Sequence, residues 1–296
     1  MSLPDLVLLA VNALYSTSYV ASRVVLEHIP PATLALIRLS LGALVLILAC
    51  RGRLALGGHT PVSGADRWRI AAMGIVGFAA AFALSHWGIV RSTATNAALL
   101  IIVEPMSVIL LAPSLLGERL TRREGVGAIL ALAGTVLVVV NGIPGLSEHL
   151  VPHWRGDVLL ILAGIAYGSY SLFGRGVLLR HDPLRVTAQS IVWGALAMAP
   201  VAALEMAAFR TVAWSPGLLL GVIYLALVIT AFGYLIWNWA LARIPAPRAA
   251  IFLSLQPVLG AGLGIVLLGE AFTVFTAVGG ALIVAGLVVT VRRAAT

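Results

Sequence analysis

Lysine is missing from this chain of 296 residues, in which all nineteen basic residues are arginines. Charge of either sign is scarce: 10% of residues are charged, 61% are hydrophobic, and the mean hydropathy is +1.06. An average soluble domain carries about 25% charged residues, so the polar surface needed to cover a globule in water is absent. The single cysteine, Cys50, excludes an intrachain disulfide and a cysteine-based metal centre. His28, His59, His86, His149, His153 and His181 show no HExxH or similar spacing, and His149 with His153 reads as a polar loop. No metal and no other cofactor is expected. A GxxxxGK[ST] stretch is also lacking, so nothing supports direct ATP drive by this chain.

What remains is apolar length. Runs long enough to cross about 30 Å of hydrocarbon recur from end to end, which makes this an all-α integral membrane protein. Turn punctuation by Pro30-Pro31, GRLALGGHTPVSG, GIPGLSEHLVPHW, HDP and IPAP divides the runs into ten expected spans. They cover 5–24, 32–50, 69–88, 94–116, 124–141, 157–177, 184–205, 216–240, 247–268 and 274–291. The first apolar run has no basic residues before it, so it reads as a span and not as a cleaved signal peptide.

The net charge of +8 could suggest nucleic acid, but the arginines are scattered through short gaps, a pattern better explained by anionic lipid and topology. With a cytoplasmic N-terminus, the inner gaps hold fourteen arginines and the outer gaps four, leaving Arg38 inside the second span. That bias predicts a multi-pass protein of the inner (plasma) membrane with both termini cytoplasmic. Trp68, Trp87, Trp154, Trp214 and Trp239 fall near span ends, as interfacial tryptophans do.

The chain is written twice. At an offset of 152, Pro105 meets Pro257, Gly117-Glu118 meets Gly269-Glu270, and Gly127 meets Gly279. The same offset aligns Asp5 with Asp157, Tyr15 with Tyr167, Arg23 with Arg175, Trp87 with Trp239 and Arg91 with Arg243. Two units follow, 1–143 and 153–296, each with five spans. An odd number of spans forces the second unit to enter the membrane from the opposite side. The expected fold is therefore ten transmembrane helices in two inverted five-helix repeats, an architecture of secondary transporters with a site near the bilayer midplane.

The segment PMSVILLAPSLLGERLTRREGVGAILALAG and its counterpart PVLGAGLGIVLLGEAFTVFTAVGGALIVAG resemble the closing part of the EamA domain. That domain occurs in tandem in the drug/metabolite transporter superfamily, and the resemblance covers essentially the whole chain. It implies a ten-helix inner-membrane exporter of small metabolites, often amino acids. Within the superfamily the resemblance points toward aromatic amino acid exporters of the YddG type.

Several polar positions stand out. Glu104 lies close to mid-depth in the fourth span, where a carboxylate costs on the order of 2.5–3.5 kcal/mol and should face protein or water. Its mate is Gln256, and each precedes a proline that leaves a carbonyl one turn earlier without its partner. Two readings stand for this pair: satisfied polar groups where helices kink and pack, or a substrate-amine or proton site. Arg38 either pairs with Glu104, the acid at comparable depth, or snorkels outward. Phe78, Phe82 and His86 share one face of the third span, and Thr230, Tyr234 and Asn238 share the equivalent face of the eighth. The first span adds Asn12, Tyr15, Ser16 and Tyr19, and the sixth adds Tyr167 and Ser171. Aromatic faces with hydroxyl and amide tips suit a neutral amino acid with a bulky side chain, although aromatics at helical spacing also serve as packing core. Gly117-Glu118 and Gly269-Glu270 read as helix stops at the water interface. Gly164, Gly168, Gly174, Gly260, Gly262 and Gly264 permit close helix approach or hinging.

The expected function is export of small metabolites, most of all neutral or aromatic amino acids, by alternating access. The partners are that solute and the lipid bilayer, with the oligomeric state left open. A carrier of nucleosides or drugs is the alternative. An intramembrane enzyme would need a metal cluster, paired carboxylates or an activated nucleophile, and a channel a continuous polar ring.

Overall fold

A computed structural model describes residues 3–54, 62–116, 122–140, 153–208, 212–243, 249, 252–253 and 255–291. These form helices and no strand. In chain order they are α1 (Leu3–Leu26), α2 (Pro31–Leu54), α3 (Gly64–Arg91), α4 in two pieces (Ala94–Leu100 and Val103–Leu116) and α5 (Arg122–Val140). Then follow α6 (Trp154–Leu178), α7 (Pro183–Ala207), α8 (Pro216–Leu241), α9 (Leu255–Leu268) and α10 (Val274–Val291). Six of them, α1, α2, α3, α6, α7 and α8, are long and apolar enough to cross a membrane, and the other four are shorter apolar helices. The ninth span, expected from 247, is helical from Leu255, and 244–248 lie outside the described residues, as do Gly117 and Glu118.

Unlike a soluble bundle, the helices present an apolar outer surface while burying polar side chains within their core. Along α1 the buried positions include Asp5, Asn12, Ser16, Tyr19 and Ser22, while Leu6 points outward. Leu204 and Val266, with 78% and 79% of their surface exposed, lie far outside the packed interior. Only a hydrocarbon solvent makes that arrangement favourable, since lipid rewards apolar contact and penalises exposed polar groups.

The repeat is visible in how helices pair. Each of α5 and α10 is the other's mate, and they run antiparallel. A Cβ added at Gly134 would lie 2.5 Å from Gly279 O, and one added at Gly286 would lie 2.5 Å from Gly127 O. Under the offset of 152, Gly127 maps onto Gly279 and Gly134 onto Gly286, so these contacts are one contact seen twice about a pseudo-twofold axis. α2 and α7 also pair across the repeats, with Thr33 near Glu205 and Leu39 near Gly194. α3 packs on α6 as α8 packs on α1. Antiparallel mates are what inverted units produce.

Proline shapes α4 and α9 in the same way. Pro105 has no N–H for the carbonyl of Ile101, and that carbonyl instead accepts from Glu104 N at 2.9 Å. Likewise Leu253 O, abandoned by Pro257, accepts from Gln256 N at 3.1 Å. The break therefore falls at Ile101-Ile102 and sets the residue before each proline on a tightened turn. α9 ends at Gly269, whose φ of +65° is the left-handed conformation that glycine adopts without a Cβ penalty.

α3 and α8 each change hydrogen-bond register midway. Ile75–Ala80 and Tyr224–Gly233 are π-helical, and adding 152 to the first range places it within the second. The side chains beyond each π segment are those that converge on the centre of the molecule.

Polar ties hold the helix ends. At the face where α1 begins, Asp66 accepts from Arg180 at 2.5 and 3.3 Å and meets His181 at 2.9 Å, joining α3 to the α6–α7 turn. That hydrogen bond raises the Arg180 guanidinium above its ordinary range. At the opposite face Glu270 accepts from Ala94 N and Thr95 N, both at 2.7 Å, and so caps α4 instead of merely facing water. His153 corrects the polar-loop reading: it is buried and lies 2.7 Å from Asp157, which also accepts from Ser92 at 2.5 Å and Asn96 at 3.1 Å. His149 lies outside the described residues.

Candidate functional site

A cavity lies where α1, α2, α3, α4, α6, α8 and α9 converge. Its wall maps onto itself under the repeat: Tyr15 with Tyr167, Ser18 with Tyr170, Phe82 with Tyr234, Ser85 with Trp237, Ile101 with Leu253, and Glu104 with Gln256. The cavity thus sits on the pseudo-twofold axis. Its charge does not obey that axis. Arg38, His86 and Glu104 have Ser190, Asn238 and Gln256 as mates, so every ionisable group of these pairs belongs to the first repeat.

Arg38 is buried, with 5% of its surface exposed. Its Nε donates to Thr230 Oγ1 at 3.2 Å, and its Nη1 contacts His86 Nε2 at 3.0 Å and Ser22 Oγ at 3.5 Å. The guanidinium carbon lies 4.5 Å from the Phe82 ring centroid, a cation–π contact strengthened by exclusion of water. His86 Nδ1 lies 3.0 Å from Pro31 O. A carbonyl can only accept, so Nδ1 carries the proton and Nε2 accepts from Arg38. The guanidinium therefore neither pairs with Glu104 nor snorkels. Neutral hydroxyls, one imidazole and an aromatic face solvate it inside the protein.

Glu104 and Gln256 face the same space in different states. Gln256 donates to Asn12 Oδ1 at 2.8 Å and accepts from the Tyr19 hydroxyl at 2.7 Å. Asn12 is anchored in turn, donating to Leu8 O at 2.8 Å. Among the described residues the Glu104 carboxylate accepts no hydrogen bond and forms no ion pair, and it opens into the cavity. The buried Tyr15 hydroxyl is likewise without a partner there.

An aromatic shell completes the wall. Phe82 stands 5.9 Å from Tyr167 and 6.3 Å from Tyr234, and Tyr15 stands 5.8 Å from Tyr234, all between ring centroids. Behind them Phe78, fully buried, packs edge-on against Tyr234 at 4.6 Å and Tyr170 at 4.9 Å. Asn238 is also behind the wall, donating to the Tyr170 hydroxyl at 2.6 Å and to Thr187 Oγ1 at 2.7 Å. Of the residues singled out in the sequence, Tyr15, Tyr19, Arg38, Phe82, His86, Glu104, Tyr167, Tyr234 and Gln256 line the cavity. Phe78 and Asn238 support it from outside. Ser18, Ser22, Ser85, Tyr170 and Trp237 line it without having been singled out. Helical spacing carries a signal for Tyr170 and Trp237, which lie three residues beyond Tyr167 and Tyr234 on the same helices.

Gly164 and Gly168 let α6 approach α4 closely: a Cβ at Gly164 would lie 2.9 Å from Val103 Cβ, and one at Gly168 would lie 3.0 Å from Glu104 O. Gly260 serves α9 similarly against Ala98, whereas Gly262 has nothing within 4 Å and is not a packing glycine.

The chain's likeness to known proteins agrees with this architecture. The family described as EamA-like transporters matches residues 2–140 and again 154–292. A probable terminal-alkyne amino-acid exporter of Streptantibioticus cattleyicolor is 30% identical, the match covering 94% of this chain and 90% of that one. A probable amino-acid metabolite efflux pump of Salmonella typhimurium is 28% identical over 96% of this chain and 93% of its own. An uncharacterized transporter of Archaeoglobus fulgidus is 27% identical over 97% of this chain and 96% of its own. A protein of known crystal structure shares the fold, with a TM-score of 0.67 at 24% identity over 99% of each chain. With two family domains in tandem around one central cavity, the chain belongs to the EamA-like transporter family.

Proposed function

We propose that this protein is an inner-membrane carrier that exports neutral amino acids with bulky apolar or aromatic side chains, by alternating access. The observation that carries this reading is the pairing, within one aromatic-walled cavity, of a buried guanidinium at Arg38 with an unpartnered carboxylate at Glu104. An α-amino acid presents the complementary set: a carboxylate for Arg38, an ammonium for Glu104 and a side chain for Phe82, Tyr15, Tyr167 and Tyr234. Flat side chains gain most, because ring–ring contacts add about 0.5–1.5 kcal/mol beyond area burial. The names borne by the Streptantibioticus and Salmonella relatives support an amino-acid cargo, and the family resemblance supports the aromatic branch.

In this reading all ten helices cross the bilayer, both termini are cytoplasmic, and units 1–143 and 153–296 rock about the axis on which the cavity lies. Tyr19 and Gln256 hold α1 to α9 while the other wall helices move. Direction follows the solute gradient.

Counterflow in proteoliposomes tests the proposal. Preloading with unlabelled phenylalanine, tryptophan or leucine should accelerate uptake of the labelled amino acid, with saturation. Linear, non-exchanging flux would identify a pore. Exchange of nucleosides but of no amino acid would overturn the substrate class.

A further inference from the structure

The equivalent π segments of α3 and α8 are held differently. In α8, Thr230 Oγ1 donates to Leu225 O at 2.8 Å, five residues earlier in the chain. In an α-helix a threonine hydroxyl reaches the carbonyl three or four residues back, so a bond to the fifth belongs to the π register. The mate of Thr230 in α3 is Phe78, which has no hydroxyl. The same Thr230 oxygen accepts the Nε–H of Arg38 at 3.2 Å. A charged donor on a hydroxyl oxygen polarises its O–H and strengthens the bond it donates. Arg38, on α2, therefore braces a π turn on α8.

That brace conflicts with ligand binding. A carboxylate takes a guanidinium through two parallel N–H bonds, using Nη2 with either Nε or Nη1. Nε is engaged by Thr230 at 3.2 Å, and Nη1 is flanked by both His86 at 3.0 Å and Ser22 at 3.5 Å. His86 is fixed from behind by Pro31 O and makes the shortest of the three contacts, so the Nη1 edge is crowded by two partners whereas the Nε edge holds one. Thr230 is the partner that yields.

We infer that Thr230 is a positioning residue coupling carboxylate occupancy at Arg38 to the helical register of α8. The carboxylate takes the Nε–H, Thr230 loses its charged donor, and Tyr224–Gly233 relaxes toward the α register. Tyr234 and Trp237, immediately beyond that segment, form cavity wall. A register change of one residue turns them by about 100° around the helix axis, so binding in the cavity becomes movement of its wall. This inference rests on the amino-acid reading of the cavity.

The test uses the full chain in nanodiscs, with L-phenylalanine and its decarboxylated counterpart 2-phenylethylamine as probes, and the variants Thr230→Val and Thr230→Ser. Amide hydrogen exchange over 224–233 should rise on adding phenylalanine and stay unchanged with the amine. Thr230→Val should show raised exchange without ligand, turn over more slowly, and bind phenylalanine roughly three- to tenfold more tightly, because Nε is already free. Thr230→Ser should restore the wild-type pattern. Weaker or unchanged phenylalanine binding by Thr230→Val would mark Thr230 as merely structural and overturn the coupling. So would carboxylate-dependent binding to the wild type with no change in exchange over 224–233, an outcome that leaves the amino-acid reading standing and holds even if Thr230→Val fails to fold. Equal binding of phenylalanine and 2-phenylethylamine would instead sink the amino-acid reading, and the coupling with it.

Discussion

Glu104 and Gln256 are equivalent residues of the two repeats, each set by a proline on a tightened turn and each facing one cavity, yet among the described residues only Gln256 finds partners for its side chain. The repeat supplied two identical positions, and the chain spends one on structure and leaves the other open.

Glu104→Gln replaces the open acid with its mate's residue. The fold should survive, with an unchanged or slightly raised melting temperature, because no protein partner is lost. Recognition of an ammonium should suffer. A hydrogen bond to a charged group contributes about 1.5–3 kcal/mol, which predicts a rise in KM of roughly 10- to 100-fold. Saturation kinetics of counterflow would show it, and a KM within twofold of wild type would remove Glu104 from the site.

Gln256→Leu should behave in the opposite way. It strands the Tyr19 hydroxyl and Asn12 Oδ1 between α1 and α9, and each stranded buried group costs about 1–3 kcal/mol. The expected result is a clear loss of stability in detergent, read by thermal unfolding of the purified protein. Transport per folded molecule should fall less than in Glu104→Gln.

How far these differences could be read in advance depends on the kind of signal. The helices and the inverted repeat were legible, since apolar length and the offset shared by Pro105, Trp87 and Gly127 are properties of the chain alone. Much of the cavity wall was legible too, because Tyr15, Phe82 and Tyr234 recur at helical spacing on polar faces. The partners of Arg38 were not. Thr230, His86 and Ser22 come from three other helices, and no local pattern marks a contact between α2 and α8. The π segments were equally silent: IVGFAA is apolar throughout and YLALVITAFG carries hydroxyls only at Tyr224 and Thr230, too few for a change of register to leave a periodicity to detect. Phe78 and Asn238 share a stripe with cavity residues but sit one layer behind, a distinction set by helix rotation and not by spacing.

Gly134→Leu tests the seam between the repeats. Even one added carbon would lie 2.5 Å from Gly279 O, so α5 and α10 must separate. Helix association in lipid depends on close packing without a hydrophobic drive, and overpacking typically costs about 1–3 kcal/mol. A lower melting temperature with unchanged KM is expected, because the seam does not line the cavity. A shift in KM without loss of stability would show that α5 and α10 act on the site directly.

Pro105→Ala returns an N–H to the turn that positions Glu104. Ile101 O could then accept from residue 105 in the ordinary α pattern, releasing Glu104 N from its bond at 2.9 Å. Removing a helix-interior proline should stabilise α4, by up to about 3 kcal/mol if nothing else moves. Straightening would also re-aim the carboxylate away from the centre of the cavity. The protein should therefore melt higher yet transport less well, with the loss in KM resembling that of Glu104→Gln. The double variant Pro105→Ala with Glu104→Gln separates the causes. If proline acts by aiming the carboxylate, the second change adds little to the first, and fully additive losses would show that the break in α4 serves movement and not aim.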